Sequence, residues 1–156
     1  MLTFSDDFLM PQQGTIRYWH ADPNDPQAET WSVAVPLATF SAADIYDPLT
    51  FQLGSEGPEI IDTAVRLDFI ELRGSTLQGL DQQTFTFPVN PEDGFIDASV
   101  YIGGGHCPVE VTRIEFGPVS GDLVTATLHA YFDFNAEAVE IENRAAVLTT
   151  ELRLTG

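Results

Sequence analysis

The residues best suited to chemistry lie in one glycine-rich stretch, Gly103-Gly104-Gly105-His106-Cys107-Pro108. A cysteine and a histidine can form a nucleophile with its base, or supply two metal ligands. Neighbouring side chains on an extended chain point apart, so His106 is badly placed to take the proton of Cys107. A catalytic pair would need His20 or His129 to be brought in by the fold. We therefore interpret the glycines as a sharp turn between two strands and keep a hydrolase that uses Cys107 and His106 as an alternative.

The spacing of the remaining ligand types does not favour a metal site. The chain has three histidines and one cysteine but no C-x-x-C or H-x-x-x-H pair, so zinc ligands would have to come from distant strands. An oxygen-rich loop holds Asp22, Asn24 and Asp25, but Pro26 stands where an EF-hand needs its third ligand. The sequence also lacks the phosphate-loop ending and the G-x-S-x-G elbow. We expect no metal and no cofactor.

A second candidate site follows from strict alternation near the C-terminus. Every second residue is apolar in the set Val124, Ala126, Leu128, Ala130, Phe132 and Phe134. Side chains alternate between the faces of a strand, so this pattern buries one face and leaves the other in water or against a partner. Because aromatic residues are enriched at interfaces, we predict an interaction surface centred on His129 and Tyr131, with Thr127 and Asp133 beside them.

Residues 59–73 are ambiguous between a strand and a helix. Val65, Leu67 and Phe69 alternate well, whereas Ile70 and Leu72 alternate in the opposite phase. A strand with a bulge near residues 69 and 70 reconciles the two phases, because a bulge inserts one extra residue. We favour the strand and keep the helix as the alternative.

The whole chain of 156 residues predicts one all-β domain spanning residues 1–156. We count eight or nine strands with short links, which favours a single antiparallel β-sandwich, with an up-and-down β-barrel as the alternative. At most one short helix is expected near residues 41–47, where Ser41 could act as the cap and Pro48 would end it.

The charge balance limits the partners. The chain has 24 acidic and 6 basic residues, a net charge of −18, and all six basic residues are arginines. Such a surface repels nucleic acids and anionic membranes and attracts a basic protein. No run is long enough to cross a bilayer, and residues 1–7 lack the features of a signal peptide. We expect a cytoplasmic protein that binds neither nucleic acid nor membrane.

These observations favour a non-catalytic protein-interaction module, of inhibitor or immunity type, with a basic protein as partner. One alternative is a carrier of small apolar ligands, with a barrel cavity lined by Phe85, Phe87, Phe132 and Phe134. The other alternative is the hydrolase described above. A homodimer is also compatible with the sequence, because exposed sheet edges pair readily.

Overall fold

A computed structural model describes residues 4–41, 60–102, 105–134 and 141–156. The strands in these ranges are β1 Gly14–Tyr18, β2 Trp31–Pro36, β3 Phe40–Ser41, β4 Ile60–Ile61, β5 Ala64–Ile70, β6 Thr84–Thr86, β7 Asp97–Ile102, β8 Gly105–Ser120, β9 Leu123–Phe132 and β10 Arg144–Thr155. Two short 3-10 helices, Asp6–Phe8 and Leu77–Leu80, are the helical elements of the described ranges. The short helix expected near residues 41–47 falls mostly outside them, and Ser41 itself belongs to β3.

Seven strands close into a barrel in the order β1, β2, β5, β7, β8, β9 and β10, with β10 pairing back to β1. Each neighbouring pair is antiparallel except β1 with β10, which is parallel. A meander with an odd number of strands begins and ends in the same direction, so its closing pair has to be parallel. β6 pairs with β8 as an extra strand, and β3 and β4 form a separate small sheet.

The predicted all-β class is confirmed, whereas the sandwich is not and the barrel alternative fits the strand pairing. The physical reason is the closing ladder, which joins Gly14 to Leu152 and Arg17 to Thr155. This ladder leaves no gap at which the large sheet could separate into two layers. Alternation within each strand shows which face is buried, but it does not show whether the buried faces curve around one axis or stack as two sheets.

The interior of the barrel is filled by the apolar phase of each strand. In β9, Val124, Ala126, Leu128 and Phe132 are all at most 1% exposed. The intervening residues of β9 are half-buried or exposed, as their alternation predicts. Because register and burial agree over the whole strand, a slip of one residue would turn this apolar set outward.

Two of the strands contain bulges that explain irregular sequence patterns. In β5, Asp68 and Phe69 together lie opposite Ser32 of β2, and Phe69 has a positive φ of 58°. The predicted strand with a bulge near residues 69 and 70 is therefore confirmed. In β8 the register shifts after Val111 and again after Phe116, which reverses the phase of alternation along that strand.

The barrel closes at a position where only glycine fits. A Cβ on Gly14 would lie 2.3 Å from the carbonyl oxygen of Ala34 and 2.9 Å from Cδ2 of Leu152. Gly14 begins β1, between β2 on one side and β10 on the other. The missing side chain thus allows the first and last strands of the barrel to approach closely.

Candidate functional site

The residues predicted to form an interaction surface lie on the outside of the barrel. Thr127, His129 and Tyr131 project outward from β9, and the Tyr131 side chain is 42% exposed. Asp133 directly follows β9, is half-buried, and donates its backbone N–H to the carbonyl oxygen of Pro108 at 2.9 Å. The four residues therefore form a row along β9 and the residue that follows it, on the outer wall of the barrel.

A charged cluster lies beside this path on β8. Glu115 Oε1 is 2.6 Å from His129 Nε2 and 3.2 Å from Arg113 Nε. The sheet register brings them together, because His129 lies opposite Arg113 and Thr127 lies opposite Glu115. All three side chains are at least one-third exposed, so each pair stabilises the fold by about 1 kcal/mol at most.

On its other side, β9 pairs with β10, which adds an apolar side chain to the surface. Val147 lies opposite His129 and is 59% exposed, and the hydroxyls of Thr127 and Thr149 are 3.0 Å apart. Val147 was not among the predicted site residues. Its phase in the alternation of the last strand placed it outward, but only the pairing of β10 with β9 brings it next to His129.

A groove of about 680 Å³ runs across this part of the wall to the segment that precedes β1. Its lining includes His129, Tyr131 and Val147 from the strands, together with Leu9 and Met10 from that segment. We call the outward side of β8, β9 and β10 around this groove the acidic face.

Two residues that line the groove, Asp6 and Arg144, form an ion pair. The Arg144 guanidinium donates to the carbonyl oxygen of Phe4 and to Asp6 Oδ1, both at 2.6 Å. This contact ties the start of β10 to the segment that precedes β1.

The structure separates the cysteine from the histidines. Cys107 is completely buried inside the barrel, with its Sγ 3.7 Å from the carbonyl oxygen of Gly105. His106 is exposed on the other side of the same strand, where its ring packs 5.0 Å from Tyr101. His20 is also exposed, and His129 contacts Glu115 on the outer wall. The geometry therefore does not form the nucleophile and base that a hydrolase using Cys107 and His106 would need.

Three of the four phenylalanines proposed to line a ligand cavity pack against other rings. Phe132 and Phe134 are completely buried and stacked, with centroids 5.6 Å apart. The ring centroids of Phe4 and Phe134 are 4.8 Å apart, and the half-buried Phe85 ring lies edge-on to Phe116 with their centroids 6.0 Å apart. Phe87 is half-buried after the end of β6. These rings fill space in the described core instead of facing a common void.

Among the described residues, no group of three or more His, Cys, Asp and Glu side chains is arranged to hold a metal ion. The same ranges contain no helix with the length and apolar character needed to span a bilayer. No family model matches the chain, and neither a curated protein nor a solved structure gives a match. The function has to be inferred from the geometry of the site.

Proposed function

We propose that this protein is a non-catalytic binding module, of inhibitor or immunity type, whose acidic face holds a basic protein. The observation that carries the proposal is the exposure of two large apolar side chains in one groove. Tyr131 and Val147 are diagonal neighbours across the β9–β10 ladder and are 42% and 59% exposed. Exposed tyrosines beside aliphatic side chains are typical anchors of protein interfaces.

Carboxylates surround this apolar centre. Glu110 lies directly opposite Tyr131 in the β8–β9 ladder. Glu115 contacts His129, which precedes Tyr131 by two residues on β9. Asp6 also lines the groove, paired with Arg144. Glu110 makes no ion pair with a described residue, so a lysine or arginine of a partner could reach it while apolar side chains of the partner cover Tyr131 and Val147.

The total charge supports the same class of partner. A net charge of −18 attracts a basic protein over long distances and accelerates its association, whereas it repels acidic proteins. Binding of this kind weakens as salt screens the charges, so salt dependence distinguishes it from purely apolar association.

The proposal is tested by affinity capture of partners at two ionic strengths. The protein with its original sequence is used as the bait. It is compared with the double variant Y131S/V147S and with the matched control Y101S, which removes another exposed tyrosine from β7. We expect the original protein and Y101S to retain a basic protein at an ionic strength of about 0.01 M, and to hold it more weakly at about 0.15 M. The double variant should fail to retain the basic protein at either ionic strength.

Purified partner and bait are then mixed, and their mass and affinity are measured by light scattering and calorimetry. Equal capture by Y131S/V147S and the original protein would contradict the proposal. A protein that is already dimeric alone, and that becomes monomeric in the double variant, would instead identify the face as a contact between two copies.

A further inference from the structure

A second cleft lies on the outer wall of β1, β2 and β5, away from the acidic face. It has a volume of about 260 Å³ and is lined by Arg17, Trp19, Ser32, Arg66 and Asp68, among others. We call it the arginine cleft. Two of the six arginines of this acidic chain are therefore placed together in one depression.

The sheet register explains why the depression forms. Arg17 of β1 lies opposite Ser32 of β2, and Arg66 of β5 lies opposite Ala34 of β2. The two arginines are two strands apart, which corresponds to a separation of about 10 Å across the sheet. The β2 residues between them, Ser32 and Ala34, have small side chains, so the floor of the cleft is low.

The Arg17 side chain is held in place by its neighbours. Its guanidinium carbon lies 3.7 Å from the centre of the Trp19 ring, and the Trp19 indole N–H donates to Ser32 Oγ at 3.0 Å. Gly156 also lies close to Arg17, since a Cβ on Gly156 would be 3.0 Å from Arg17 Nε and 3.1 Å from Arg17 Cγ. A guanidinium held in this way loses little conformational freedom when it binds an anion.

Among the described residues, the arginines of the cleft form no ion pair. In the described part of the chain, no carboxylate oxygen lies within 4 Å of a side-chain nitrogen of Arg17 or Arg66. Asp68 shares the cleft and faces Asp97 on β7. The charged side chains that line the cleft are therefore two arginines and one aspartate.

We propose that the arginine cleft binds a small organic carboxylate. Guanidinium groups hold carboxylates through paired, charge-assisted hydrogen bonds, and the hydroxyls of Thr15 and Ser32 add further donors. The charge of −18 repels a multiply charged phosphate more strongly than a single carboxylate, so the long-range field favours the smaller charge. The volume of the cleft suits a small molecule. This site is independent of the acidic face.

The test is a titration with benzoate, followed in proton–nitrogen correlation spectra at constant ionic strength. The Trp19 indole N–H and the Arg17 Nε–H should shift and saturate as benzoate is added. The indole N–H of Trp31 serves as an internal reference, because it is completely buried and donates to the carbonyl oxygen of Gly74 at 3.1 Å. Benzyl alcohol and inorganic phosphate are titrated in parallel.

The variants R17Q and R66Q should each weaken benzoate binding about tenfold or more, since each removes a charged hydrogen-bond donor. The matched control is R73Q, which removes the same charge from an exposed arginine outside the cleft. It should leave the affinity for benzoate unchanged.

Three results would overturn the proposal. The first is the absence of a saturable shift at Trp19 and Arg17. The second is equal binding of benzyl alcohol, or tighter binding of phosphate than of benzoate. The third is a loss of affinity in R73Q as large as in R17Q, which would indicate unspecific attraction between charges.

Discussion

The acidic face and the arginine cleft are outer surfaces of the same barrel, yet they use arginine in opposite ways. The three arginines of β8 and β10 are each bound to a carboxylate: Arg113 to Glu115, Arg144 to Asp6 and Arg153 to Asp122. In the arginine cleft, by contrast, Arg17 packs on an indole, and no described carboxylate lies within salt-bridge distance of Arg17 or Arg66.

This difference shows that the net charge of the chain does not predict which charges are available at a given place on its surface. On the acidic face the three arginines are paired with carboxylates, and Glu110 adds a further carboxylate beside Tyr131, so this face suits a basic partner. The arginines of the cleft make no ion pair with a described residue, so the cleft suits an anion. The local arrangement of a few side chains therefore decides which ligand each face can recognise.

Both faces depend on one core, and the largest expected effect comes from breaking it. Phe132 is completely buried behind the acidic face, so F132A should lower the free energy of unfolding by about 3–5 kcal/mol. Y131A, one residue away but facing outward, should change it by less than about 0.5 kcal/mol. Chemical denaturation of the two variants measures the contrast. Similar losses in both would contradict the assignment of inside and outside along β9.

The next largest effect is expected where the two faces join. G14A places a Cβ against the backbone of Ala34, so it should destabilise the protein by about 1–3 kcal/mol through overpacking. The matched control is G117A in β8, where the nearest atom to a new Cβ is 3.4 Å away. Thermal unfolding of both variants tests this. A G14A protein as stable as G117A would show that the space between Gly14, Ala34 and Leu152 can accommodate a Cβ.

A smaller effect tests how firmly the arginine cleft is organised. S32A removes the acceptor of the Trp19 indole N–H and should cost about 0.5–1.5 kcal/mol. It should also broaden or move the Trp19 indole resonance. S99A is the control, because Ser99 lies on the same wall and its hydroxyl makes no hydrogen bond within the described ranges. If S32A and S99A behave alike, Trp19 is not held by Ser32.

The smallest effect concerns the carboxylate in the arginine cleft. Burial, and then the nearby Asp97 carboxylate, raise the pKa of Asp68 above its ordinary value of 3.8, while Arg66 lowers it. The folded state thus holds this proton more readily than the unfolded state. The charged form of Asp68 therefore costs stability above its folded pKa, and this cost disappears below about pH 3.8.

Accordingly, D68N should raise the melting temperature slightly at pH 7, and this gain should shrink to zero as the pH falls below 3.8. D7N removes a charge from an exposed position and serves as the control. The same D68N variant should bind benzoate more tightly, since one repelling charge has gone. A melting temperature that falls at pH 7 would show that Asp68 stabilises the fold through Arg66.

Much of the local structure could be predicted because it depends on neighbours in the chain. The alternation from Val124 to Phe132 correctly divides core from surface, and the reversed phase at Phe69 and Ile70 correctly indicates a bulge. His106 and Cys107 were expected to point apart, and they lie on opposite sides of β8. Each of these inferences needs only the geometry of a single extended strand.

The groove and the arginine cleft could not be predicted in the same way. Val147 comes next to His129, and Arg17 comes near Arg66, only through the pairing of strands that are far apart in sequence. Alternation contains no information on which strands are neighbours. The ion pairs across the strands and the shape of the cleft therefore could not be predicted from it.

The sequence by itself determined an acidic, all-β chain and the side of each strand that faces the core, because a two-residue period is a property of the strand alone. Only the tertiary structure decided that the strands close into a barrel, through a parallel ladder between β1 and β10. That ladder depends on close approach at Gly14, and therefore on contacts between the two ends of the barrel sheet.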